Sequence, residues 1–341
     1  MSSFAPYELI SAVLAGETPC EMVAARAFRA PHELWWRALA IEGCAVQFAR
    51  RLRRSDMSGS VPSPIRDRLS EAAQRAVREA LAVPGQVSEL SEVARECGAR
   101  VLLLKGAARL LSHDVPGERS LSDIDVLAAP RDARRLHALL QYRLGYQSTN
   151  AAPEHHLPVL FRPGALPIEV HVQLGPRPTN LDERIWQDAR ELADTGIAVP
   201  SPTGALLHAL EHGALVHWAV RYRLRDLLDA AEGWIVGVDG DEVVRHVRAH
   251  PQRRALETTL GAARRFAGAI PVIRRSAWRT VRRVARARHL IAAYIRPSVL
   301  AESLCIAAGV LAEASPRAML RPAELAVFGV RQARVDLGSP T

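Results

Sequence analysis

Between residues 99 and 174 the hydrophobic pattern of this chain changes period. Upstream, apolar residues recur at three-and-four spacing, as in HELWWRALAIEGCAVQFARRL (32–52), which is the spacing of one helix face. At ARVLLLKG (99–106) they become a short continuous run, the pattern of a strand buried on both sides. SDIDVLAA (122–129) reads as a second strand, and HHLPVLFRPG (155–164) and LPIEVHVQL (166–174) as two more joined by a glycine-containing turn. AARLLS (107–112) is a helical turn, HDVPGERSL (113–121) a loop, and RDARRLHALLQYRLG (131–145) an amphipathic helix stopped by Gly145. From about Ser201 the helical period returns. The pattern requires an α/β (α+β) protein with a small mixed-sheet core at 99–175. A helical region precedes it (1–98), and another follows (176–341).

The upstream helices have their own punctuation. SDMSGSVPSP (55–64) breaks the pattern, and Ser63 and Pro64 then cap and open a helix over IRDRLSEAAQRAVREAL (65–81). Pro84-Gly85 is expected to end it, with a further helix over VSELSEVARECG (87–98) stopping at Gly98. No run reaches the ~18 apolar residues of a membrane span, and no basic segment precedes the first apolar stretch, so neither an anchor nor a signal peptide is expected. Cys20, Cys44, Cys97 and Cys305 lack metal-type or disulfide-framework spacing, which fits reduced thiols in a cytoplasmic protein.

The chain carries 45 basic and 36 acidic residues, a net +9. That excess is local. From Thr258 to Ala301 there are ten Arg and no acid. Within that stretch IRRSAWRTVRRVARARHL (273–290) reads as a helix, and residues 274–288 are a candidate nucleic-acid contact, since clustered Arg neutralises phosphates. The competing reading is a solvated helix in a chain whose basic residues are almost all Arg, as GC-rich genomes favour. The apolar side of this helix is mostly Ala and Val, so a lipid surface is not expected. The only lysine in the chain is Lys105.

Strand alternation puts Asp123 and Asp125 on one face and Ile124 and Val126 on the other. Two carboxylates side by side repel unless a cation sits between them, and Mg²⁺ prefers oxygen ligands. Glu169 and His171 share a face of a later strand. If the two strands are neighbours, three carboxylates converge and can hold one or two ions, which would activate an attacking hydroxyl and neutralise a leaving pyrophosphate. Lys105 and Gly106 lie where a strand meets a helix N-terminus, a place that favours phosphate, and Arg119 brings further positive charge. A D-x-D on a strand recurs by chance, a lone K-G more so, and Glu169 alone reads as a solvated strand residue. Their order within one α/β unit carries the argument.

The stretch LLLKGAARLL…ERSLSDIDVLAAPRDARRLHALLQYRLGY…HHLPVLFRPGALPIEVHVQL resembles the uncharacterised nucleotidyltransferase family of the DNA polymerase beta superfamily. The matching residues are Lys105-Gly106, Arg119, Ser122-Asp123-Ile124-Asp125, Gly145-Tyr146, His156 and Glu169-Val170-His171. The likeness extends to the upstream helices and to SPTGALLHALEHGALVHWAVRYRLRDLLD (201–229), about residues 20–250 in all. It departs from the superfamily in having Ala107 after Gly106, where a serine hydroxyl is usual, and Glu169 where many relatives have Asp. The resemblance implies a polymerase-beta-like nucleotidyltransferase that moves a nucleoside monophosphate from an NTP to an acceptor, with Mg²⁺ or Mn²⁺. It implies Asp123, Asp125 and Glu169 as metal ligands and catalytic residues, with Glu169 alternatively the base. Lys105, Gly106, Arg119, Ser122 and His171 would bind nucleotide, with His156 structural. The acceptor would be a small molecule, a protein or an RNA end. A non-catalytic nucleotide- or partner-binding relative is the alternative. A third reading is zinc at His208-x-x-Glu211-His212, which matches the inverted zinc-protease motif and would need a further ligand such as Glu232, Glu242 or Glu257.

Overall fold

The computed structural model describes residues 4–294, apart from 20, 56, 150–154, 176–178, 194, 217–221, 236, 269 and 271–276. The chain divides into two compact units, 71–208 and 1–70 with 209–341.

Unit 71–208 is built on a seven-stranded mixed sheet. Its strands are β1 (Val101–Leu103), β2 (Ile124–Ala128), β3 (Gln147–Ser148), β4 (Leu160–Phe161), β5 (Ile168–His171), β6 (Arg190–Glu191) and β7 (Ile197–Val199). They lie in the order β3-β4-β5-β2-β1-β7-β6. β1 and β2 are antiparallel, while β2 and β5 run parallel with Asp125 opposite Glu169. All five β2 residues are buried, as a central strand covered on both faces must be. Ile124, Val126, Ile168 and Val170 enter a core shared with Val101, Leu103, Leu136 and Leu140. Leu136 and Leu140 sit one turn apart on a helix (Pro130–Leu144) that Pro130 opens and Gly145, at φ 70°, closes. The sheet extends past residue 175. β7 runs parallel to β1, between it and the edge strand β6, and Gly196 followed by the short Ile-Ala-Val run is its only sequence signal.

A helix over Ser63–Cys97 runs unbroken through Pro84, where the sequence suggested an end. Ala80, Val83, Val87 and Leu90 are all buried in the sheet core at helical spacing, while Pro84 and Gly85 face solvent. Burial of that stripe on both sides of the proline outweighs one missing backbone bond.

The described residues of the unit made of 1–70 and 209–341 are helical. Helices at Ala5–Leu14, Glu21–Phe28, His32–Glu42 and Ala45–Arg53 share a core around Trp35, Phe48, Leu9 and Leu14. The Arg-rich helix spans Ala277–Tyr294, and part of its charge is used within the unit. Arg288, 4% exposed, pairs with the fully buried Glu42 at 2.5 Å, and His289 reaches the same oxygen at 3.0 Å. Arg282 pairs with Glu8. Arg279, Arg283 and Arg286 stay exposed, at i, i+4 and i+7 on one helix face. Arg274, Arg275 and everything after 294 fall outside the described residues. No helix among the described residues is long and apolar enough to cross a membrane.

Pro84→Ala restores a backbone donor on an exposed helix face. It is expected to raise the unfolding free energy by about 1–3 kcal/mol, read by denaturant unfolding. No gain would mean that the proline's restriction of the unfolded chain offsets the bond it forfeits.

Candidate active site

Asp125 is an anomaly that the fold has to resolve. It sits mid-strand, 1% exposed, and a bare carboxylate there would cost several kcal/mol. The parallel register sets Glu169 beside it on β5, and His171 follows two residues later on the same face. Four side chains then neutralise one another. Lys105 Nζ donates to Asp125 Oδ1 at 2.6 Å. His171 Nε2 lies 2.8 Å from the same oxygen and 3.5 Å from Glu169 Oε2. Burial alone would raise the Asp125 pKa, but Lys105 and His171 hold it far below the ordinary carboxylate range. Burial alone would lower the His171 pKa, and its bonds to Asp125 and Glu169 lift it above the ordinary value instead. Glu169 is lowered against its own burial, first by His171.

One ligand-type atom from each of Asp125, Glu169 and His171 lies within 4.8 Å of the others. Among the described residues this is the only such group of three. Two carboxylates and an imidazole on adjacent strands fit a divalent cation by the chemistry of the donor set. Asp123 stands outside the group because it precedes β2, half-buried in the connecting loop. Its charge nonetheless acts on Lys105, together with those of Asp125 and Glu169. His171, which the sequence placed at the nucleotide, sits inside the group.

Lys105 opens an eight-residue helix (Lys105–Ser112) just after β1. Its φ is +48°, in the left-handed region, which costs a non-glycine residue about 1–3 kcal/mol. Gly106 follows. A Cβ there would meet Leu121 Cδ2 at 2.4 Å and the Arg119 guanidinium at 3.7 Å. The close approach that Gly106 permits in this structure is therefore that of Leu121 and Arg119. Arg119 is 7% exposed beside the helix start, and Ser122 is exposed.

Histidines wall the site. The rings of His155 and His156 lie tilted against that of His171, with centroids 5.7 and 5.2 Å away. His156 Nδ1 bonds the Leu157 carbonyl oxygen at 2.7 Å and is a bridge partner of His171. His155 and His208, both almost wholly buried, are pushed down to about 3 by burial and then by nearby positive charge. Sequence reasoning missed His155 and read His208 only as part of a zinc motif, since nothing local marks a helix histidine as lying near a distant strand. Glu211 of that motif accepts from His246 Nε2 at 2.7 Å and has His250 Nε2 at 3.7 Å. His250 Nδ1 accepts the Gln252 backbone N–H, and among the described residues no group of three ligand-type atoms forms around His208, Glu211 and His212.

A family model described as uncharacterised nucleotidyltransferase matches residues 31–268, which include every residue of this site. The chain belongs to that family. Its mixed α/β fold is the expected nucleotidyltransferase core between helical regions. No curated protein matches the chain. Among solved structures, an antigenic nucleotidyltransferase-like protein from Paracoccidioides brasiliensis is similar over 53% of this chain and 87% of its own, at 19% identity and a TM-score of 0.33.

The buried histidines set a pH dependence. Unfolded, His155 and His208 take protons below their ordinary 6.5; folded, they do so only near 3. Their contribution is intact above pH 6.5 and declines as the pH falls toward 3, because acid favours the unfolded chain. His208→Leu is expected to flatten the fall in unfolding free energy between pH 6.5 and 4.5, measured by urea titration at each pH. An unchanged slope would show that His208 is not held neutral.

Proposed function

We propose that this protein is a divalent-metal-dependent nucleotidyltransferase that moves a nucleoside monophosphate from an NTP to an acceptor hydroxyl or phosphate and releases pyrophosphate. The observation that carries the reading is the Asp125–Glu169 pair on neighbouring parallel strands, with Lys105 at the adjoining helix start. A carboxylate pair in a family of nucleotidyltransferases supports a metal role, and the residues that hold the ion would be Asp125 and Glu169, with Asp123 or His171 completing the set. The ion, Mg²⁺ or Mn²⁺ in its place, supplies charge neutralisation to the reacting phosphates.

The remaining roles follow from charge and exposure. Asp125 is sealed from solvent, while the Glu169 side chain is 23% exposed and so is placed to meet an acceptor. An acceptor oxygen attacks the α-phosphorus, the proton of a hydroxyl acceptor passes to Glu169 while a phosphate acceptor has none to lose, and the bond from the α-phosphorus to the bridging oxygen breaks. The departing pyrophosphate carries off that electron pair, and Lys105 and Arg119 stabilise its charge. Gly106 and Ser122 line the same helix start and loop, and His171 fixes Asp125 and Glu169. All these residues fall within 99–175, which we assign as the catalytic core. The acceptor is a small molecule, a protein or an RNA end.

Incubation with α-labelled NTPs, Mg²⁺ and cell extract is expected to give a labelled acceptor. Asp125→Asn and Glu169→Gln should each reduce labelling by about 100-fold or more, with the fold retained by circular dichroism. Lys105→Arg, which keeps the charge but replaces a compact ammonium by a planar fork, should impair NTP use. Full labelling by Asp125→Asn would overturn the reading. NTP binding without transfer would favour a nucleotide-binding relative instead.

A further inference from the structure

The cation that Asp125 holds belongs to the chain itself. Lys105 Nζ, 2.6 Å from Oδ1, is acted on by the charges of Asp123, Asp125 and Glu169, the three carboxylates that the sequence offered to a metal. It occupies the electrostatic position of the ion it would have to work beside.

The hydrogen-bond count sets up a competition at one carboxylate oxygen. Asp125 Oδ1 receives Lys105 and His171 together, at 2.6 and 2.8 Å. A carboxylate oxygen has two lone pairs, so both are taken. An ion that ligates this oxygen displaces one donor. His171 is the worse candidate to leave. It is 1% exposed, sits on β5 and is packed against the rings of His155 and His156. The Lys105 side chain is 22% exposed on a flexible four-carbon stem, so it has somewhere to go. Its backbone at φ +48° is held in a conformation that lysine does not favour, which marks the position as one set by the site and not by the helix it starts.

We propose that Lys105 is a tethered counter-ion that competes with a divalent ion for Asp125: an ion on Oδ1 displaces the ammonium and one on Oδ2 sits against its charge, so that lysine and metal disfavour one another until a triphosphate offers the ammonium a second anionic partner. The proposal rests on the reading that Asp125 and Glu169 hold a divalent ion. It makes Lys105 a positioning residue that couples metal binding to NTP binding, and by linkage each then favours the other equally. It also gives a reason for lysine at this one place in a chain whose other basic residues are all Arg. A guanidinium grips a carboxylate with two parallel bonds and releases it less readily than an ammonium.

Mn²⁺ binding to the full chain without nucleotide tests this, with free Mn²⁺ counted by electron paramagnetic resonance. Lys105→Met, and Lys105→Gln as a polar control, are expected to bind Mn²⁺ about 5- to 150-fold more tightly than the unsubstituted protein. Lys105→Arg should bind no more tightly than the unsubstituted protein, and Asp125→Asn should lose the site. A non-hydrolysable NTP analogue should tighten Mn²⁺ binding in the unsubstituted protein and much less in Lys105→Met. Equal or weaker Mn²⁺ binding by folded Lys105→Met and Lys105→Gln, with Asp125→Asn still abolishing it, would overturn the proposal and leave the metal site standing. Absence of Mn²⁺ binding in every variant would remove the metal reading and the proposal with it.

Discussion

The parallel pairing of β2 with β5 forces a choice on the rest of unit 71–208. It sets two carboxylates, Asp125 and Glu169, at neighbouring positions about 4.8 Å apart across the strands, one of them sealed from water. Their repulsion grows as the medium becomes less polar, so the sheet is stable only with positive charge delivered to that point. β1, on the other side of β2, ends where it can start a helix with Lys105, and β5 supplies His171 two residues after Glu169. The left-handed backbone of Lys105 and the missing side chain at Gly106 follow from bringing an ammonium, Leu121 and Arg119 close to one strand end.

The other unit solves the same problem differently, and the contrast is one of exposure. Glu42 is 0% exposed and held at about 2 against its burial by Arg288 and His289, themselves 4% and 3% exposed. It also accepts the Leu224 backbone N–H at 2.8 Å. Each partner there is enclosed, so nothing can be exchanged. A buried group of this kind fixes how helices pack and is costly to break. At Asp125 one of the two partners reaches solvent, and Glu169 beside it does as well. A charge cluster with an open side can trade its cation for a ligand.

Much of this was legible in the sequence because it depends on local pattern. The apolar runs at 99–106 and 122–129, the helix stopped by Gly145, and the alternation in IEVH all give their elements without tertiary information. The neighbouring carboxylates needed only one conditional step, that the two strands pair. What escaped depends on burial or on distance. Pro84 reads as a helix end, and only the buried stripe through Ala80, Val83, Val87 and Leu90 carries the helix past it. β7 is three residues long and pairs with a strand almost a hundred positions earlier. His155 and His208 have no local mark. The bond between His171 and Asp125 follows from rotamers and register, so the sequence alone left His171 as a loose nucleotide contact. The positive excess of 258–301 gave no hint that Arg288 would be consumed inside the fold.

The central claim is that Asp125 and Glu169 hold a divalent ion against the phosphates of an NTP. The most direct measurement is an anomalous difference map from crystals of the full chain grown with Mn²⁺ and a non-hydrolysable NTP. The account predicts a manganese peak between the two carboxylates and the triphosphate, with the Lys105 ammonium moved from Asp125 to a phosphate oxygen. A bound nucleotide with no metal peak at Asp125 and Glu169, or a manganese peak seated elsewhere in the chain, would contradict it.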